Sequence, residues 1–147
     1  FTATLAAAYV DTELTDALQN EGNELIFSSP ISWTLSLDYD LALTSNWALT
    51  FHVDYSDFDE RWFNTDNSIE LPDYQILNAR ITLRDASDQW NLVLWAKNLT
   101  DERIVRDRYS DLTTGSENPW LGDLRGSYQY LDPPRSIGVD LTWNLGR

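Results

Sequence analysis

The stretch "WNLVLWAKNLTDERIV", Trp90–Val105, decides the fold. The apolar run Leu92 to Ala96 is followed at once by Lys97 and Asn98. A soluble core would expel the ammonium of Lys97, and a membrane helix needs an apolar run of roughly 18–20 residues. Alternation resolves the conflict. In an extended strand, Trp90, Leu92, Leu94 and Ala96 point one way, and Asn91, Val93, Trp95 and Lys97 point the other. Lys97 then belongs to a polar face, opposite the leucines.

The same period recurs along the chain. Strands are expected at Phe1–Val10, Ile31–Leu43, Trp47–Ser56, Tyr74–Arg84, Trp90–Leu99 and Ser136–Leu145. Read by parity, Asp38, Asp40, His52, Asp54, Arg80, Arg84, Lys97 and Asp140 share the polar side. Leu35, Leu37, Leu49, Phe51, Ile81, Leu94 and Leu141 share the apolar side. Half-buried soluble sheets alternate too, so strand and connector lengths carry more weight. Transmembrane β-strands need about 9–11 residues, with short turns at one end and long loops at the other. Here Asp11–Pro30, Asp57–Asp73 and Thr100–Arg135 are long, while Thr44–Asn46 and Asp85–Gln89 are short turns of Ser, Asn and Asp. Loops this long without structure of their own are uncommon in a compact soluble domain.

The aromatic residues agree. On the apolar face, Trp47, Trp90 and Trp143 sit at the short-turn end, and Tyr9, Trp33 and Tyr55 at the long-loop end. Two such belts suit anchoring at both interfaces of a bilayer. Tyr39 is the exception, mid-strand on the apolar face. The reading is therefore all-β: an antiparallel meander of six long strands with the pattern of a transmembrane β-barrel, which the family resemblance below makes an open curved segment of a large one.

Composition narrows the function. The chain has 147 residues, 24 acidic and 10 basic, for a net charge of −14. That argues against nucleic acid, which requires a basic footprint. No Cys is present, which removes thiol catalysis and thiolate metal sites, and one His leaves no imidazole cluster for zinc. No catalytic constellation and no cofactor are expected. The chain has no Met and begins at Phe1 inside an alternating pattern, so a piece of a longer protein is expected.

Several motifs admit both a sharper and a simpler reading. Asn98–Thr100 is formally a glycosylation sequon, but it falls at a strand end. Asp57, Asp59 and Glu60, or Asp107 and Asp111, could hold Ca²⁺ or a ferric ligand; solvated loop charge is simpler. His52 beside Asp54 reads as a proton relay or, more simply, as a polar-face pair. The last long loop carries Trp120, Arg125, Tyr128 and Tyr130, which suit ligand contact by stacking and charge.

Three blocks, "LPDYQILNARITLRD", "WNLVLWAKNLTDERIV" and "PPRSIGVDLTWNL", resemble the C-terminal end of TonB-dependent outer-membrane receptors. The resemblance rests on Tyr74, Leu77, Asn78, Ala79 and Arg80; then on Trp90, Leu92 and Lys97 to Asp101; then on Pro134, Arg135, Gly138, Val139 and Leu141. "SPISWTLSLDYDL" is similar to the preceding strand of the family. Leu145 stands where these barrels usually finish on Phe. The resemblance implies that residues 1–147 are the last six strands of a barrel of about 22, with its plug domain elsewhere in the protein. It implies a Gram-negative outer-membrane location and contact with outer-membrane lipid and the barrel-assembly machinery. It further implies a TonB-type energy-coupling protein and a small-molecule ligand, most often a ferric siderophore. Two other readings stand beside it: a small structural or adhesive outer-membrane barrel, and a soluble β-sandwich that binds carbohydrate.

Closing six strands around Asp38, Asp40, Arg80 and Lys97 would bury charge without water, at several kcal/mol for each uncompensated ion. An open sheet is expected instead, its strands paired in chain order and its first and last strands bare.

Overall fold

The computed structural model describes residues 1–15, 19–110 and 127–145. Among the described residues ten strands form: β1 (Thr2–Tyr9), β2 (Ile31–Thr44), β3 (Trp47–Phe58), β4 (Arg61–Trp62), β5 (Glu70–Leu71), β6 (Tyr74–Asp85), β7 (Trp90–Lys97), β8 (Val105–Ser110), β9 (Ser127–Leu131) and β10 (Ser136–Trp143). Among the described residues there is no helix. Six of the strands build one antiparallel sheet in the order β1-β2-β3-β6-β7-β10, so each pairs with the next along the chain. No ladder joins β1 to β10 among the described residues, and the sheet is open, as the charge argument requires.

The expected strands are all present, with shifted ends. β2, β3 and β6 run past their expected ends to Thr44, Phe58 and Asp85. β7 stops at Lys97 rather than Leu99, because Asn98 takes a left-handed backbone, φ 50°. The expectation that the long connectors lack structure is corrected in two of them. β4 pairs with β5, and β8 with β9, as separate two-stranded ladders. These short pairs leave too few residues for alternation to show.

A bulge keeps the two faces distinct. Carried straight on from Thr44↔Trp47, the β2–β3 register would set Asp38 against Val53, mixing polar and apolar sides. The irregularity between Ala42 and Thr44 absorbs one residue and brings Asp38 opposite His52 instead. From there the rows Asp38–His52–Arg80 and Leu37–Val53–Ala79 run across three strands without mixing.

The apolar side is not covered. Leu94 is 45% exposed, and Val139 and Leu141 are 63% and 64% exposed. The buried apolar residues, Leu71, Tyr74 and Ile104, lie at the long-loop end. There the connectors stitch together: Glu24 N donates to Asn67 Oδ1 (2.8 Å), Phe27 N to Trp62 O (2.8 Å), and Arg61 Nη2 to Val105 O (3.0 Å). No second sheet stacks on the main one among the described residues.

Gly138 on β10 lies opposite Trp95 of β7, and the indole rests over it. A methyl group added there would overlap Cζ2 of Trp95. Gly138→Ala is therefore expected to destabilise the sheet by about 1–3 kcal/mol. An unchanged denaturation midpoint would show that the indole turns aside freely.

Candidate functional site

The polar face is hollowed. A depression of about 750 Å³ is lined by His52, Asp54, Asn78, Arg80, Arg84 and Lys97, with Trp95 and Asp140 among its other walls. Val93 lines it too, whereas Leu92 and Leu94 do not. Asp38 and Asp40 stand beside it on the same face, joined to its residues across the β2–β3 ladder.

These side chains form a cross-strand chain of contacts. His52 bridges two carboxylates: Nδ1 lies 2.8 Å from Asp38 Oδ1, and Nε2 lies 3.4 Å from Asp54 Oδ1. Asn78 Nδ2 donates to Asp54 Oδ2 (2.8 Å), and Thr50 Oγ1 donates to Asp40 Oδ1 (2.7 Å). Sequence reading paired His52 with Asp54, its neighbour at i+2. The shorter contact is to Asp38, which only the register reveals. Arg80, Arg84 and Lys97 have no carboxylate within ion-pair distance among the described residues. Lys97 lies 5.6 Å from the Trp95 ring, a cation–π distance.

The "KNLTD" run proves to be a clasp. Asn98, 6% exposed, closes a turn on itself: its Nδ2 donates to Glu102 O (2.9 Å) and its Oδ1 accepts from Glu102 N (2.9 Å). Its own N–H donates to Asn78 Oδ1 (3.0 Å) on β6. Asp101 Oδ1 then accepts from Arg135 N (2.8 Å), just before β10 begins. The Asn, the Asp and the Arg of separate sequence blocks thus hold β6, β7 and β10 at one end.

The loop end carries a cluster that sequence reading missed. Phe58 and Tyr74 stack at 4.7 Å and 11°. The Arg61 guanidinium lies 4.7 Å from the Tyr74 ring centroid and that of Arg106 lies 5.6 Å away. Burial pushes the Arg61 guanidinium below its ordinary pKa, while a 2.7 Å hydrogen bond to Asp132 raises that of Arg106. In the sequence, Arg61 is the one basic residue of the Asp57–Asp73 connector and Arg106 one of several arginines in the last, and no periodicity marks either.

Of the ligand-contact candidates, Trp120 and Arg125 lie outside the described residues, as does the side chain of Tyr128. Tyr130 sits on β9 and is 65% exposed. Asp111 is likewise outside the described residues. The apolar-face aromatics gather at the two ends. Trp90 and Trp143 are register partners at the short-turn end, stacked at 5.2 Å and 7°, and Trp47 begins β3 there. Trp33 and Tyr55 meet at 5.3 Å near the long loops, where Tyr9 ends β1 opposite Ile31.

Comparison with known proteins gives three findings. A family model described as TonB dependent receptor-like, beta-barrel, matches residues 1–99. No curated protein matches the sequence. Among solved structures, the ferric yersiniabactin uptake receptor FyuA from Yersinia pestis is similar at a TM-score of 0.75 and 16% identity, over 95% of this chain and 20% of that one. BauA, the ferric preacinetobactin receptor from Acinetobacter baumannii, is similar at a TM-score of 0.62 and 17% identity, over 95% of this chain and 19% of that one. The chain spans about a fifth of the length of these receptors.

Proposed function

The chain belongs to the TonB-dependent receptor β-barrel family, and from that premise we propose that it forms the last six strands of an outer-membrane receptor that imports a scarce nutrient. The nutrient we infer is a ferric siderophore; FyuA and BauA are receptors for such complexes and share the fold. The observation that carries the reading is the division of one sheet into two faces. One face is an exposed apolar band with Trp and Tyr gathered at both ends. The other is a polar hollow around His52, Arg80 and Lys97. Bilayer lipid covers the first, and a water-filled lumen with a plug domain occupies the second.

In this reading the barrel-assembly machinery inserts the protein into the outer membrane of a Gram-negative cell. The long connectors face outward and take part in ligand capture. A TonB-type protein, acting on the plug, supplies the energy. Arg80, Arg84 and Lys97 face that plug, and carboxylates on its surface pair with them. The chain performs no chemistry on its cargo; the family is one of transporters.

Deleting the receptor gene is expected to abolish uptake of radio-iron from the cognate ferric siderophore under iron limitation. Deleting the TonB-type gene should give the same loss. Uptake that persists without the TonB-type protein would refute energised transport. Normal iron uptake on every ferric siderophore tested in the receptor deletion would refute the substrate.

A further inference from the structure

A second depression, of about 470 Å³, opens at the long-loop end of the polar face. Its floor is the row Ser32–Phe58–Tyr74, register partners across β2, β3 and β6. Arg61 and Arg106 line it, and Phe27 adds an apolar wall. The chain carries 24 acidic residues against 10 basic, yet no carboxylate lines this hollow among the described residues.

The two guanidiniums are not equivalent. Arg106 has Asp132 at 2.7 Å. Arg61 is 5% exposed, and among the described residues its guanidinium lies over the Tyr74 ring and donates to two carbonyl oxygens, Val105 O at 3.0 Å and Pro72 O at 3.5 Å. No Asp or Glu lies within ion-pair distance of it among the described residues. Asp132, the nearest counter-charge, is engaged by Arg106 and reaches Arg61 only at longer range, so an oxyanion that arrives with a ligand completes the charge balance of a guanidinium held out of water. The stacked Phe58–Tyr74 pair offers flat apolar surface beside the charge.

We propose that this hollow binds an oxyanion carried on a flat apolar frame, with Arg61 and Arg106 as its charge partners. The face excludes a lipid headgroup as the source. Ser32, Phe58 and Tyr74 share their side of the sheet with Asp38, His52 and Arg80, away from the apolar band. The anion is therefore a solute at the outer mouth. The site goes beyond the transport reading, since binding is measured without uptake.

The probes are benzoate and its neutral isostere benzamide, titrated into the full-length receptor in detergent micelles and followed by saturation-transfer NMR. Benzoate is expected to bind about tenfold tighter than benzamide, the worth of one charge-assisted contact. Arg106→Gln should remove most of that preference, because it leaves Asp132 free to act on Arg61, and adding Asp132→Asn, which leaves no stranded carboxylate, should restore the part of the preference that Arg61 supplies. Ser32→Asp puts an acid into the hollow and should abolish benzoate binding while sparing benzamide, a check that leaves both arginines in place. Equal affinity for the two probes, no benzoate binding by the wild type, or a preference indifferent to these variants would each overturn the site. Preferential benzoate binding by a receptor that transports nothing would defeat the transport reading alone.

Discussion

Arginine at Leu94 is expected to destabilise the full-length receptor by roughly 2–4 kcal/mol, the range for a cation at the bilayer midplane of a β-barrel. Arginine at Val93, the next residue, should cost far less. Leu94 lies mid-strand on β7, opposite Ile81 and Val139 on the uncovered apolar side. Val93 lines the polar hollow, where water and counter-charges can solvate a guanidinium. Denaturant unfolding of both variants in lipid vesicles provides the comparison. Equal losses would show that the apolar side does not face hydrocarbon, and the assignment of the two faces would fall with them.

The second large effect is expected at Asn98. Alanine there removes both side-chain bonds to the Glu102 backbone, at about 1 kcal/mol each. It also forces a Cβ-bearing residue without a local hydrogen bond to hold φ 50°, at roughly 1–2 kcal/mol. A total of roughly 3–4 kcal/mol follows. Asn98→Asp keeps the acceptor toward Glu102 N and tolerates the backbone, so it should lose only part of this. Hydrogen exchange locates the effect: the amides of Glu102 and Arg135 should lose protection in the alanine variant. A loss below about 0.5 kcal/mol, the level of an ordinary surface change, would mean that the clasp contributes little.

These two positions show what the sequence could disclose. The side of Leu94 was legible because alternation on a pleated strand is fixed geometry, and eight residues of β7 suffice to display it. The open sheet followed from the charges on its polar face. The pairing of His52 with Asp38 was not legible, because it depends on a bulge at Leu43 that no residue type announces. Asn98 was visible as part of a resemblance, but its job was not: the partners Glu102 and Asn78 lie on either side of it in the chain. The Arg61–Tyr74–Arg106 cluster was hidden for a further reason. It joins two connectors to the start of β6, and aperiodic segments carry no signal of what they meet.

Pairing in chain order also bears on how fast the sheet forms. β2 with β3 and β6 with β7 are joined through turns of a few residues, so each hairpin needs little loop closure. β10 is different: its partner β7 lies beyond the longest connector of the main sheet. Closing a flexible loop costs entropy that rises only as about (3/2)RT ln n with its length. Shortening that connector should therefore quicken the docking of β10 modestly, while the order of events stays the same. The two hairpins are expected to form before β10 docks. The edge that β10 then presents is one of two bare edges of the sheet, with β1 at the other, so the pace of its docking sets when that edge becomes available to a further strand.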